Sequence, residues 1–238
     1  MGQVELVQRA ATPTVWKAKN AIETEHVTKV FSEPHHREVF VDISLQIEQG
    51  EFVAALGPVG SGKTTLINLI SGLDRPSSGS IYINGIETTR LSENALASIR
   101  AAKLGIVPQV QNLLDELTVY ENVELPLLFL KLNGESRASR VAQVLDRMGI
   151  SSEADREVSG LSVGEKQMVA IARALAPDSS IILMDEPTES LDPLISEVIL
   201  ELLRGDNLTK GKTIFVATHD RKIINLASRT IRVKKKIP

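Results

Sequence analysis

The sequence predicts an α/β fold: a mainly parallel sheet covered on both faces, a small antiparallel β-subdomain, and an inserted α-helical subdomain. Three observations carry this. The runs at 52–56, 181–184 and 213–217 are short and almost wholly apolar, and helix-compatible segments alternate with them, as in a parallel sheet buried on both sides. Residues 22–31 and 38–47 instead show the short alternating runs of half-buried strands. From about 118 to 176 the pattern is helical, interrupted only by breaker residues.

In chain order, residues 1–21 mix charged, small and polar types without a period and carry the only tryptophan, Trp16, which reads as packing an extension onto the domain. Two strands then flank a turn at Glu33-Pro34-His35-His36-Arg37, and Gln49-Gly50-Glu51 turns the chain into the strand at 52–56. A helix follows and is closed by the breaker cluster Asp74-Arg75-Pro76-Ser77-Ser78-Gly79. Next come a strand at 80–83 and an Asn84-Gly85 hairpin signal. Ser92 opens a helix to 103, and 105–108 reads as a buried strand ending at Gln109. Pro126, Asn133-Gly134, Gly149 and Ser159-Gly160 divide the helical stretch. A strand at 181–184, a helix at 193–203, a strand at 213–217, a short helix from Asp220 and a strand at 230–233 complete the order. The expected organisation is an extension, 1–21, and one domain, 22–238. Within that domain, 22–109 and 177–238 form the core with its β-subdomain, and 110–176 form the helical subdomain.

Composition narrows the function classes. Among 238 residues, 27 Lys and Arg stand against 30 Asp and Glu, a formal charge of −3, so the basic excess that favours nucleic-acid binding is missing and no nucleic-acid partner is expected. There is no cysteine, hence no disulfide framework and no thiolate metal site. No apolar stretch approaches the roughly 20 residues that span a bilayer. The richest run, 125–132, contains Pro126 and Lys131. A cytoplasmic location is therefore expected, and any work at a membrane would need another chain to supply the membrane part. Leu6 stands where a myristoylation signal needs Ser or Thr. Lys234-Lys235-Lys236 beside Arg232 reads as a solvated terminus.

The chemistry begins at Gly57-Pro58-Val59-Gly60-Ser61-Gly62-Lys63-Thr64, a full match to the phosphate-binding pattern GxxxxGK(S/T), in the strand, loop, helix context that the pattern requires. Three glycines let backbone N–H groups converge on one concavity, and the helix that continues through Thr65 adds its positive end. Lys63 supplies a point charge for the β and γ phosphates, and the Thr64 hydroxyl suits Mg²⁺. Downstream, Ile181-Ile182-Leu183-Met184-Asp185-Glu186 is an apolar strand ending in carboxylates, where ligands gather in open parallel sheets. Asp185 is placed to hold Mg²⁺ and Glu186 to orient and deprotonate a water.

Between these two elements lies Leu161-Ser162-Val163-Gly164-Glu165, followed by Lys166-Gln167-Met168-Val169-Ala170-Ile171-Ala172-Arg173-Ala174-Leu175. This segment resembles the signature motif of ABC ATPases and the helix it opens. The resemblance runs from about residue 22 to 233. It is nearest the lipoprotein-release and macrolide-export branch, on Leu73-Asp74-Arg75-Pro76-Ser77-Ser78-Gly79 and on the run 117–127. It implies an ATP-binding subunit that hydrolyses Mg-ATP at a dimer interface and drives a separate integral membrane permease, gripped through the 110–132 region from the inner face of the membrane. It implies that Gln109 touches Mg²⁺ and the attacking water, that Ser190-Leu191-Asp192 crosses the dimer interface, and that His219 contacts the γ-phosphate. Phe31 falls where the family places an aromatic under the adenine. Ser162 and Gly164 would reach the ATP held by a second nucleotide-binding subunit, identical or not. A soluble regulatory or assembly module of the same family is the alternative.

Three positions depart from the pattern. Val163 and Glu189 stand where the family usually has Gly, and Met168 where it usually has Arg. A β-branched residue at 163 occupies a place where the backbone could need glycine's freedom. The expectation is that ATP binding is intact while closure or hydrolysis is weakened, the three changes lying on the surface that acts on the second subunit.

Overall fold

A computed structural model describes residues 4–7, 20–31, 37–205 and 211–234. Two sheets organise the chain. The larger has the order β1-β10-β4-β9-β8-β7, made from β1 (Val4–Val7), β4 (Phe52–Leu56), β7 (Leu104–Val107), β8 (Ile181–Asp185), β9 (Thr213–Ala217) and β10 (Arg229–Val233). All its neighbours are parallel except β1, which runs antiparallel to β10 at one edge. The smaller sheet, antiparallel throughout, has the order β3-β2-β5-β6, from β2 (Asn20–Phe31), β3 (Arg37–Glu48), β5 (Ser78–Ile83) and β6 (Ile86–Glu87).

The period-two geometry of a strand explains why the apolar runs are continuous. In β8, Ile181 and Leu183 enter one core with Val53, Ala55, Phe215 and the antiparallel sheet, while Ile182 and Met184 enter a second core with Ile214, Val216 and the helices. α1 (Lys63–Ser71) packs in the first core. α3 (Val119–Glu124), α4 (Gly134–Met148), α5 (Val163–Leu175) and α6 (Pro193–Arg204) pack in the second. Local chemistry fixes the helix ends. The Ser92 side chain caps α2 (Glu93–Lys103), and Asp220 caps α7 (Arg221–Leu226). Thr118 with Glu121 and Ser162 with Glu165 form capping boxes on α3 and α5. Gly149 ends α4 in the left-handed conformation.

Several expectations shift. Val4–Val7, inside the expected extension, form the edge strand β1, and β2 begins at Asn20. The α-helix α3 ends at Glu124, as the break at Pro126 leads one to expect, but the turn of the chain continues. Pro126 sits in a 3-10 turn, Leu125–Phe129, that continues directly from α3, near a helix start where its missing N–H costs little. Trp16, the turn residues 33–36 and Lys235-Lys236 lie outside the described residues.

Candidate nucleotide site

The site forms at the carboxyl ends of four adjacent parallel strands. After β4 the chain enters the phosphate loop, and two of its glycines are demanded by conformation: φ is +76° at Gly60 and +103° at Gly62. Gly57 is demanded by space, because a Cβ there would stand 2.3 Å from the Val233 carbonyl oxygen and 2.4 Å from Ser61 Oγ. The Ser61 N–H donates to Pro58 O at 3.1 Å, closing the loop, and Val59 projects from its tip, 90% exposed. Left-handed Gly62 precedes α1 directly, so Lys63, Thr64 and Thr65 already belong to its first turn. That is why the helix starts two residues earlier than its apolar pattern suggests.

Lys63 is buried. Its Nζ donates to Gly57 O at 2.9 Å and lies 3.2 Å from Glu186 Oε1. Glu186 follows β8 with φ +46°, a conformation that a glutamate holds only when its surroundings enforce it. Its N–H donates to Ala217 O, and its Oε2 accepts from the His219 N–H at 3.1 Å and lies 2.9 Å from His219 Nδ1. Glu186 thus links Lys63 and His219 in one continuous line of contacts. Asp185, the last residue of β8, is buried beside Thr64. Burial pushes its carboxyl above the ordinary carboxylate value. Thr64 and Lys63 oppose that shift, and the neighbouring charges of Glu186 and Glu189 add to it. Gln109 joins from the loop after β7, where its Nε2 donates to Glu189 Oε2 at 2.7 Å.

The remaining expected residues stand elsewhere. Phe31 ends β2 in the other sheet, partly exposed, with Lys29 Nζ 4.6 Å from its ring centroid. Lys29 is itself held by Asp74 and the Arg75 carbonyl. Ser162 is committed to its capping box, its Oγ accepting from the Glu165 N–H at 3.3 Å. Gly164 packs against α6, where a Cβ would meet Ile195 Cγ1 at 3.0 Å. Asp192 caps α6 through Leu194 and Ile195 N–H groups.

Two expectations about the departures are corrected. Val163 is the first residue of α5 and is not among the residues of positive φ, so its backbone needs no glycine; what it adds is a side chain 60% exposed. Met168 is not on an outward surface. It is 3% exposed inside the helical core.

Sequence reasoning missed the ties that hold this corner together. Buried Gln167 donates to Pro187 O at 3.1 Å and accepts from Gln111 Nε2 at 3.0 Å. Arg173 donates to the carbonyls of Gln111 and Asn112, and burial pushes its guanidinium below the usual value. Thr188 Oγ1 donates to Asp220 Oδ2 at 2.9 Å. The one signal in the sequence is a polar Gln167 on the apolar face of α5, which needs partners once buried.

A magnesium-like cation suits this donor set. Asp185 Oδ1 is buried without a hydrogen-bond partner among the described residues, beside the Thr64 hydroxyl, and such hard oxygens are what Mg²⁺ takes. Ser61 Oγ, in the loop, is likewise buried without a partner among the described residues.

A glycine-cradled anion loop, a lysine and a carboxylate-ended strand on one parallel sheet define a P-loop nucleotide-binding protein. More narrowly, the chain belongs to the ABC transporter family, whose model matches residues 40–189. It is 43% identical over 197 residues to an uncharacterised ABC transporter ATP-binding protein of Methanocaldococcus jannaschii, covering 81% of this chain and 84% of that protein. It is 41% identical over 216 residues to a macrolide export ATP-binding/permease protein of Aggregatibacter actinomycetemcomitans, covering 90% of this chain and 33% of that one. It is also 41% identical over 207 residues to a methionine import ATP-binding protein of Haemophilus influenzae, covering 85% and 59%. The chain thus spans about a third of the macrolide exporter's length and about three fifths of the methionine importer's. Among solved structures, a dimeric bacterial ABC transporter cassette superimposes with TM-score 0.84 at 40% identity, covering 90% and 94% of the two chains. The same cassette as a post-hydrolysis dimer bound to ADP and Pi gives 0.84 at 38%, covering 91% and 97%. The fold is that of the ABC ATPase cassette.

Proposed function

We propose that this chain binds Mg-ATP in the phosphate loop, closes against a second nucleotide-binding subunit, hydrolyses the nucleotide there and so drives a separate integral membrane subunit. The observation that carries the reading is the line of contacts Lys63–Glu186–His219, with buried Asp185 next to Glu186 in the chain.

The loop N–H groups and the start of α1 would cradle the phosphates from Gly57 to Thr65. Lys63 would leave Glu186 for the β and γ phosphates, and Thr64 and Asp185 would hold the cation, with Gln109 facing it. A divalent cation bound there neutralises phosphate charge and orients the γ-phosphoryl group. Glu186, released from Lys63, would accept a proton from water as the water oxygen attacks the γ-phosphorus. The bond from that phosphorus to the β,γ-bridging oxygen breaks, leaving ADP and inorganic phosphate. His219 would hold Glu186 on one side and the γ-phosphate on the other. Phe31 offers a ring for the base. Ser162 and Gly164 suit the nucleotide of the second subunit.

The transporter relatives support a membrane partner with this chain at its cytoplasmic face, and no helix among the described residues is long and apolar enough to cross a membrane. The surface for that partner is a groove of about 770 Å³ between α2 and the 3-10 turn, lined by Ala101, Leu104, Leu125, Pro126, Phe129 and Leu130 among others. Phe129 is 78% exposed at its edge. An apolar helix of the membrane subunit would fit it, a location that narrows the 110–132 region and adds α2 as its second wall. Residues 110–176 would then move with the partner as a unit.

Light scattering of Glu186→Gln tests the reading. It should give a dimer only with Mg-ATP and turn over at least about 100-fold more slowly. A monomer at saturating Mg-ATP in the presence of the co-purified membrane subunit, or wild-type turnover in the variant, contradicts it.

A further inference from the structure

We propose that Glu189 is a positioning residue for the divalent cation. It grips the amide end of Gln109, so that the carbonyl end of that side chain faces the cation. The inference rests on the Mg-ATP reading above and concerns a residue to which that reading gives no part.

The geometry is specific. Glu189 Oε2 and Gln109 Nε2 are 2.7 Å apart, the length of a charge-assisted hydrogen bond. An ionised carboxylate can only accept, so the partner atom must be the amide nitrogen, and Oε1 is the end of Gln109 left for a cation. Both residues are carried on firm supports. Glu189 lies in the turn after β8, its N–H donating to Glu186 O at 3.1 Å, and Ser190 beyond it is held at φ +61°. Gln109 follows β7, which pairs with β8 through Val107 and Met184. The hydrogen bond therefore spans two neighbouring strand ends at the site itself.

Glu189 also follows Asp185 and Glu186 in the turn after β8, which brings a third carboxylate to this end of the sheet. Two carboxylates and a third from Glu189 repel an ATP that arrives without its cation, and attract the cation that arrives with it. Outer partners of this kind fix a ligand's orientation, and their loss costs about 10–100-fold in metal affinity. The family resemblance leads one to expect glycine at 189, which can do neither.

The test uses the whole chain with Mn²⁺ as the probe, titrated by electron paramagnetic resonance in the presence of a non-hydrolysable ATP analogue. Binding of a fluorescent ATP analogue in EDTA is measured alongside. Glu189→Gly should weaken Mn²⁺ binding about tenfold while cation-free nucleotide binding stays the same or tightens. Glu189→Gln keeps an acceptor oxygen for Gln109 and should lose less. Adding Gln109→Ala to Glu189→Gly should cost little more, because the two side chains act as one unit. Unchanged or tighter Mn²⁺ binding in Glu189→Gly overturns the inference, the tighter result meaning that Glu189 holds Gln109 away from the cation. Full additivity in the double variant also overturns it. Failure of the wild-type chain to bind nucleotide with Mn²⁺ would overturn the Mg-ATP reading itself, an outcome distinct from either.

Discussion

Lys63 Nζ lies 3.2 Å from Glu186 Oε1, and both side chains are buried. The cation that the phosphate loop offers to a nucleotide is therefore paired with the carboxylate placed to activate water. Each neutralises a charge that would be costly to bury alone. Binding a triphosphate exchanges the partner of Lys63 and frees the carboxylate in the same event, so the base is unmasked when its substrate is in place.

Lys63→Ala should accordingly do two separable things. It should abolish ATP binding, and it should destabilise the nucleotide-free chain by about 3–5 kcal/mol, because Glu186 is left buried without its cationic partner. Chemical denaturation without nucleotide reads the second effect. Wild-type stability would mean that Glu186 relaxes into solvent when its partner is removed.

Asp185 behaves in the opposite sense. Its Oδ1 is buried without a partner among the described residues, and burial disfavours its charged form. Asp185→Asn removes that charge and should raise the melting temperature of the nucleotide-free chain, about 2–4 °C for each kcal/mol gained. The same substitution should erase the further rise that Mg-ATP gives the wild type, since the cation loses its carboxylate. Calorimetry with and without Mg-ATP separates the two. A variant that melts lower without nucleotide would show that the carboxylate is satisfied as it stands.

This pairing of a buried cost with a functional gain bears on what could be read from the chain. The loop 57–64 and the strand 181–186 were legible because their chemistry is local: glycines at fixed spacing, and apolar residues ending in carboxylates. β1 was not, because four residues within an extension that has no sustained period become a strand only by pairing with β10, more than 200 residues later. The Glu189–Gln109 contact and the Gln111–Gln167–Pro187 chain were hidden for the same reason, each joining segments 20 to 80 residues apart. Met168 misled because a family pattern names a residue type without saying where its side chain points.

The capping boxes give a pH prediction with a definite sign. The Thr118 N–H and hydroxyl hold the Glu121 carboxyl below its ordinary 4.5, and the Ser162 N–H and hydroxyl, with Arg156 adding to them, do the same for Glu165. A depressed folded pKa stabilises the fold above the unfolded value and is lost as pH falls through the folded one. Glu121→Ala/Glu165→Ala should therefore melt below the wild type above about pH 5, with the gap closing under pH 4.5. A gap that persists undiminished into that range would assign it to packing instead of ionised caps.

The signature departures now divide. Met168 fills the helical core, so Met168→Arg should lower stability by several kcal/mol, a charge having been forced into a cluster of buried apolar side chains. It should do nothing to improve turnover. Val163 stands 60% exposed at the first position of α5, on a backbone that any residue adopts, so its effect can only be steric and only on something that approaches from outside. If that visitor is the second cassette, Val163→Gly should raise turnover at least about threefold, roughly 0.7 kcal/mol in barrier, with ATP affinity unchanged. Steady-state hydrolysis against ATP concentration, with Val163→Ala as an intermediate, measures this. Equal turnover in all three would mean that closure accommodates the valine, and that the signature is fully competent as it stands.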